Sequence, residues 1–407
     1  MVENVRELLK AHKGLKREVY FDIENANFVP DEVVEAMLPY FSKVGYGNPT
    51  LTHKPGWEAF ETIMECSQTV ASYLGCGNAE EVNFTPGETE ANNLAILGIS
   101  RSLREKARKI VISEVEPINV LQVAEMLQKE GFSVVKVPVD REGFVDLGKL
   151  DEAVDHETAV VSLSAVNHEI GTVQPLKEAV EVVFDRNEET VFHTDASDAF
   201  GKIPFDVRGL NVDLATVSSG KVLGPRGVGC LYVKDGVALE RILEGPIGTQ
   251  RLWPGVENTP LIVGFTKASK LTFERFEENV DRIKSLRNRL VDRIMNTVSD
   301  VELNGPSGSK RAPDNANISF LRCEGEALTI ELSLSGVYVS SGSACSRRLL
   351  QPSHVLIAIG RKFDQAHGSV LMKVSRVHSE EDINYASEVI PKAVDRIRGI
   401  SGSTGVS

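Results

Sequence analysis

Cysteine is scarce in this 407-residue chain, and its spacing pairs nothing: Cys66, Cys76, Cys230, Cys323 and Cys345 form no C-x-x-C. That excludes a disulfide framework and the usual zinc-ligand patterns, so no metal site is expected. Basic charge is also in deficit, with 45 Lys and Arg against 58 Asp and Glu and a net charge of −13. Such a chain lacks the basic face that nucleic acid or an anionic membrane requires. No apolar run approaches the roughly 20 residues of a membrane span. The opening MVENVRELLKAHKGLKREV is charged throughout, unlike a signal peptide. These absences predict a soluble protein of a reducing cytoplasm.

A hydrophobic content of 42% over this length is enough for a large core and more than one domain. Between about residues 66 and 235 short β-rich runs alternate with helical patterns. The runs are EVNF (81–84), KIVIS (109–113), SVVKVPV (133–139), TAVVSLSAV (158–166), ETVFHTDAS (189–197), DLATVS (213–218) and VGCLYV (228–233). This alternation predicts an α/β fold with a large, doubly wound, mostly parallel sheet buried on both faces. Past Pro260, TKASKLTFERFEENVDRIKSLRNRLVDRIMNTV predicts one amphipathic helix of more than thirty residues. The runs NISFLR, VYVSS and VLMKVS then predict a smaller α+β domain. The expected division is 16–260 for the large domain, with 1–15 and 261–407 in the small one.

Ligands of open α/β sheets sit at the C-terminal ends of the strands, so the residues just past each strand are the candidates for chemistry. After EVNF comes Thr85-Pro86-Gly87-Glu88-Thr89, whose small residues open a helix and leave backbone N–H groups for a phosphate, or serve as a plain N-cap. Glu88 opposes an anion there unless its side chain turns away. Asp195 follows ETVFHT, as a functional acid or a turn aspartate. Ser218-Ser219-Gly220-Lys221 follows DLATV and precedes GPRGVG. Lys221 reads as a surface lysine, or as a Schiff-base lysine if its pKa is depressed. Together, a phosphate-binding helix start, a strand-end acid and a strand-end lysine suit pyridoxal 5′-phosphate. In SSGSACSRRLLQPSHVL (340–356), Cys345 sits among small polar residues with Arg347 and Arg348 behind it. That composition predicts a mobile loop with an exposed thiol, either reactive or merely tolerated.

In seven ordered blocks the sequence resembles the cysteine desulfurases of the NifS/IscS type, within the fold-type I pyridoxal-phosphate enzymes. The blocks are GNPTLTHKPG (47–56), FTPGETEANNLAI (84–96), VNHEIGTVQP (166–175), HTDASDAFGKIPFDV (193–207), SSGKVLGPRGVGCLYV (218–233), PGVENTPLIVGF (254–265) and the Cys345 segment. The resemblance implies a homodimer that takes sulfur from L-cysteine, leaves alanine, and passes an enzyme persulfide to an iron–sulfur scaffold or other acceptor. It makes Cys345 the persulfide-forming nucleophile, Lys221 the lysine that holds the cofactor and Asp195 the partner of its ring nitrogen. Gly87, Glu88, Thr89 and Ser218 match the phosphate site. Asn167, His168 and Asp198 fall around the ring, and Arg376 and Asn48 fall at the substrate.

Several positions depart from the family pattern. Pro117 stands where a stacking histidine is usual, His168 for an asparagine, Asp198 for a glutamine and Gly220 for a histidine. Val256 replaces a threonine, Trp253 an arginine, and Asp22–Phe28 reads DIENANF where D-x-x-A-T-T-P is usual. These exchanges predict a weaker hold on the cofactor. Asp198 in particular places charge beside the cofactor phenolate that a protonated His168 would have to balance. Two other readings share the fold: an enzyme for another amino acid, and a persulfide carrier that no longer turns over cysteine.

Overall fold

The computed structural model describes residues 9, 12, 14–341 and 352–403, so Cys345 lies outside the described residues. Each apolar run of the first half forms a strand, usually shorter than its run. After β1 (Val19–Tyr20) come β2 (Val82–Thr85), β3 (Lys109–Ser113), β4 (Ser133–Val137), β5 (Thr158–Ser162), β6 (Val191–Asp195), β7 (Leu214–Ser218) and β8 (Gly229–Val233). Strands β2 to β8 make one seven-stranded sheet in the order β2-β8-β7-β6-β5-β3-β4. Neighbours from β4 to β7 are parallel, while β8 runs antiparallel between β7 and β2. The sheet is mostly parallel, as expected.

Burial on both faces explains the unbroken apolar runs. Alternate residues serve opposite cores: Ile110 and Ile112 pack with the helices Glu88–Leu103 and Ile118–Lys129. Val111, Val161 and Val217 pack on the other side with Lys54–Leu74 and Thr259–Phe273. The second sheet is antiparallel and comes after the first in the chain. Its strands are β9 (Val301–Leu303), β10 (Asn315–Phe320), β12 (Ser340–Ser341) and β13 (Ser369–Lys373), ordered β12-β13-β10-β9. Between β10 and β12, β11 (Val337–Tyr338) pairs in parallel with β1.

Two features differ from the sequence reading. The single helix of more than thirty residues is two, Thr259–Phe273 and Phe276–Thr297, broken at Arg275 with φ −133° and ψ 53°. The break lets Phe265 and Ala268 face the large core while Leu286 and Leu290 face the small one. Phe273 bridges the corner, stacked on Phe276 at 5.6 Å and on Tyr73 at 4.3 Å. Core membership also runs past the expected limits of 16 and 260. Val19 and Phe21 pack in the small core, and Ile262, Phe265 and Ala268 in the large one.

Candidate active site

β6 and β7 are parallel neighbours, and β2 runs the same way because β8 is antiparallel to both β7 and β2. Their C-terminal ends therefore share one edge of the sheet, where open α/β folds bind ligands. Asp195 ends β6 and Ser218 ends β7. Lys221 comes next in a short 3-10 turn closed by Leu223 in the left-handed region, φ 65°. The glycines of GPRGVG permit this crowding. A Cβ on Gly229 would lie 2.7 Å from the Val217 carbonyl oxygen and 3.1 Å from Gly87. The start of the helix Glu88–Leu103 thus lies directly against β8, and Gly87 offers it no side-chain cap. A cavity of about 310 Å³ opens here, lined among others by Glu24, Gly87, Thr89, Ser218, Lys221 and Arg226.

Asp195 Oδ2 accepts a 2.7 Å bond from Asn92, and its Oδ1 accepts the Ser197 amide at 2.9 Å. Burial raises its pKa despite these donors. A polar chain links it to the helix start, since Asn92 donates to Asn119 and Asn119 donates to Glu88, both at 3.3 Å. Glu88 therefore turns inward. With its carboxyl enclosed near Asp195, its pKa is pushed up to about 8. At neutral pH it keeps its proton and adds no charge against an anion at the helix start.

The surroundings of Lys221 correct two expectations. Its Nζ lies 2.5 Å from Glu24 Oε1 and 3.0 Å from Asp198 Oδ2. Lys373 Nζ faces the other two oxygens, hydrogen-bonding to Asp198 Oδ1 at 2.5 Å and lying 2.8 Å from Glu24 Oε2 as an ion pair without hydrogen-bond geometry. Lys202 reaches Asp198 Oδ1 at 2.9 Å and Asp314 at 2.7 Å. Burial alone would lower the pKa of Lys221, but the facing carboxylates outweigh it and hold it well above the ordinary value. The depression on which the Schiff-base reading of the sequence is conditional is absent, and the lysine is buried rather than on the surface. Nor does His168 balance Asp198. Burial drives the His168 pKa down to about 4, leaving the ring neutral, with its Nδ1 buried and without a partner among the described residues. Three lysines balance Asp198 and hold its pKa well below the ordinary value against the burial that would raise it.

Other expected residues fall elsewhere. Asn167 donates to the Val115 carbonyl and accepts the amides of Glu169 and Ile170, so its side chain shapes the 167–171 turn. Asn48 accepts the Thr50 amide and hydroxyl in a surface turn and does not line the cavity. Arg376 lies just past β13 and does not line the cavity, and its Nε and Nη2 are buried without a hydrogen-bond partner among the described residues. Pro117 is the N-cap of the helix Ile118–Lys129, which directs Asn119 into the polar chain. A Cβ on Gly220 would come within 3.1 Å of Asn27 Oδ1. Glu24, Lys202, Asp314 and Lys373 were not anticipated. The lone lysine in the apolar run VLMKVS was the available signal for Lys373. Among the described residues no cluster suits a metal ion, and no helix is long and apolar enough to cross a membrane.

A family model described as aminotransferase class V matches residues 19–384. A curated relative from Archaeoglobus fulgidus, named cysteine desulfurase IscS 1, is 39% identical over 382 residues, covering 94% of this chain and 98% of its own. A mouse protein named cysteine desulfurase is 38% identical over 392 residues, covering 96% of this chain and 84% of its own. Among solved structures, a NifS-like protein aligns with a TM-score of 0.87 at 32% identity, over 93% of this chain and all of its own. A structure titled SspA in complex with cysteine aligns with a TM-score of 0.76 at 30% identity, over 88% of this chain and 99% of its own.

Proposed function

The chain belongs to the class-V aminotransferase family, and from that premise we infer that it is a pyridoxal 5′-phosphate-dependent cysteine desulfurase supplying sulfur for iron–sulfur cluster assembly. One observation carries this reading: Asp195 ends β6, and Lys221 follows the neighbouring parallel strand β7 by one short turn, lining with Ser218 and Gly87 a cavity that begins at a helix N-terminus without a side-chain cap. The residues fit the cofactor. Asp195 is an enclosed carboxyl with neutral amide donors from Asn92 and Ser197, so a cationic ring N–H would complete its environment. The free amides after Gly87, with Thr89 and Ser218, suit a phosphate. When bound, the cofactor supplies an electron sink for bonds at the substrate α and β carbons.

The chain's own groups do the rest. Lys221 would hold the cofactor aldehyde; its free ammonium pairs with Glu24 and Asp198. The resemblance gives the carboxylate of L-cysteine to Arg376, which does not line the cavity but has two buried donors without a partner among the described residues, as bidentate binding requires. Cys345 accepts the substrate sulfur as a persulfide and passes it to an acceptor protein, while alanine leaves. The chain acts as a homodimer. Support comes from residues 38–60, where Leu38, Phe41, Tyr46, Leu51, Trp57 and Phe60 stay exposed, a density of apolar surface that marks an interface. A reducing compartment such as the cytoplasm suits the chemistry, since Cys66, Cys76, Cys230 and Cys323 are free thiols.

The test is direct. The purified chain supplied with pyridoxal 5′-phosphate, L-cysteine and a thiol reductant should release alanine and sulfide in equal amounts. Cys345→Ser should stop sulfide release and leave no extra sulfur on the protein by mass spectrometry. Alanine without sulfide, or sulfur accumulating on another cysteine, would overturn the assignment.

A further inference from the structure

Lys221, Glu24, Lys373 and Asp198 form a closed ring of alternating charge. Each carboxylate gives one oxygen to Lys221 and the other to Lys373, at 2.5 and 3.0 Å for the first lysine and 2.8 and 2.5 Å for the second. All four side chains are at most 13% exposed. We propose that Lys373 is a positioning residue: by sharing Glu24 and Asp198 with Lys221, it determines how readily Lys221 gives up its proton and so how readily it bonds to a carbonyl carbon. The inference rests on the reading of Lys221 as the lysine that holds the cofactor.

The chemistry requires such control. An ammonium has no lone pair, so Lys221 must lose a proton before it can act, and Glu24 Oε1 at 2.5 Å is placed to take it. The free nitrogen then adds to the carbonyl carbon. A C=N bond replaces C=O, and the oxygen leaves as water with the two remaining protons of the amine. No redox change occurs. Two carboxylates facing Lys221 alone would oppose the first step, because each favours the charged amine. A second ammonium held on the same oxygens weakens that pull at short range, where the medium screens little.

The charges facing this ring come from every element around it. Glu24 lies just past β1, Glu88 opens its helix, Asp195 ends β6, and Asp198 and Lys202 come after β6. Arg226 lines the cavity, His168 stands neutral in the 167–171 turn, and Lys373 and Asp314 come from the small domain. With Glu88 protonated, Glu24, Asp195, Asp198 and Asp314 stand against Lys202, Lys221, Lys373 and Arg226, four for four. Removing Lys373 leaves four carboxylates against three cations. The remaining ammonium on Glu24 is then Lys221, which holds its proton harder.

The test reads the Lys221 proton without the cofactor. The full-length chain, stripped of carbonyl ligands with hydroxylamine, is treated with formaldehyde and an amine-borane, which supplies hydride to the C=N bond. Methylation at Lys221 is followed by peptide mass spectrometry from pH 6 to 10. Lys373→Met should displace the pH profile upward, lowering labelling by roughly tenfold for each unit of displacement. Lys373→Arg, which restores the cation, should return the profile to that of the parent. Asp198→Asn should displace it downward. An unchanged profile in a folded Lys373→Met protein, or an arginine variant that behaves like the methionine one, overturns the proposal. Should Lys373→Met fail to fold, it is made in the Asp198→Asn background, which removes one charge of each sign. It must then move the profile upward relative to Asp198→Asn alone. Cofactor binding is not part of the readout, so failure to load pyridoxal 5′-phosphate would overturn the functional reading, while the labelling profile separately decides whether Lys373 controls the Lys221 proton.

Discussion

Lys221 has two roles that a single substitution cannot separate. It is the amine expected to hold the cofactor, and it is one of two cations that neutralise Glu24 and Asp198 in a buried ring. The sequence made the first role legible, because a lysine between a buried strand and a glycine-rich turn sits at a ligand-binding edge. The second was hidden. Glu24 is 197 residues from Lys221, and Lys373 is 175 from Asp198, so no local pattern joins them. Asp198 consequently read as an uncompensated charge when it is the hub of three lysines. Lys221→Ala should therefore abolish the covalent hold on the cofactor and also weaken the fold. Breaking a buried pair on one side typically costs about 3–5 kcal/mol. Lys202 and Lys373 still reach Asp198, which argues for a loss near about 3 kcal/mol. Urea unfolding of the cofactor-free chains at pH 7.5 measures it, and equal stabilities would show that the ring does not hold the fold together.

Strands and helices were legible wherever burial followed their period, as in KIVIS and β3, which coincide. Their ends were less so: SVVKVPV runs two residues past β4, because Pro138 has no N–H for the ladder. The two-helix corner at Arg275 was hidden for another reason. An amphipathic pattern marks an apolar face but not which core that face meets. Short polar links between elements were also invisible, and Glu116 shows what they imply. It precedes the helix Ile118–Lys129 and accepts the amide of Ser164, just past β5, at 3.0 Å and its hydroxyl at 2.5 Å. Burial pushes its pKa from 4.5 up to about 8. A carboxyl raised in the folded state stabilises fully below its unfolded pKa, and that contribution is lost as pH rises through the folded value. Between pH 5 and 8 the folded state holds a proton the unfolded state lacks, so stability falls with pH. Glu116→Gln cannot ionise and keeps an acceptor for Ser164. Its stability relative to the parent should therefore rise from pH 5 to pH 8. Unfolding curves at the two pH values check this, and a constant difference would mean that Glu116 is ionised throughout.

At the scale of the whole molecule, the large and small cores are joined at the site itself. Lys373 ends β13 of the second sheet yet binds Asp198 and Glu24 beside the first. A site built on that seam depends on how the two units are held, and on the proposed dimer reading the exposed apolar stretch at 38–60 is the face a second subunit would cover. Trp57 lies in the first turn of the helix Lys54–Leu74 and is 60% exposed, like Phe41 near it in sequence. A monomer carrying 13 excess negative charges gains nothing in stability by displaying a tryptophan, since exposed apolar surface is unfavourable in water. Covering it against a second copy removes that surface, and a stable dimer of ordinary size buries about 800 Å² on each partner. Central aromatic residues carry most of the energy of such interfaces. Trp57→Glu should then convert dimer to monomer at micromolar concentration. The carboxylate would lose its water without gaining a partner, at a penalty large enough to dissociate a typical interface. Light scattering on the parent and the variant decides it. A monomeric parent would remove the dimer from the functional reading. A variant that stays dimeric would place the interface elsewhere than the face that carries Trp57.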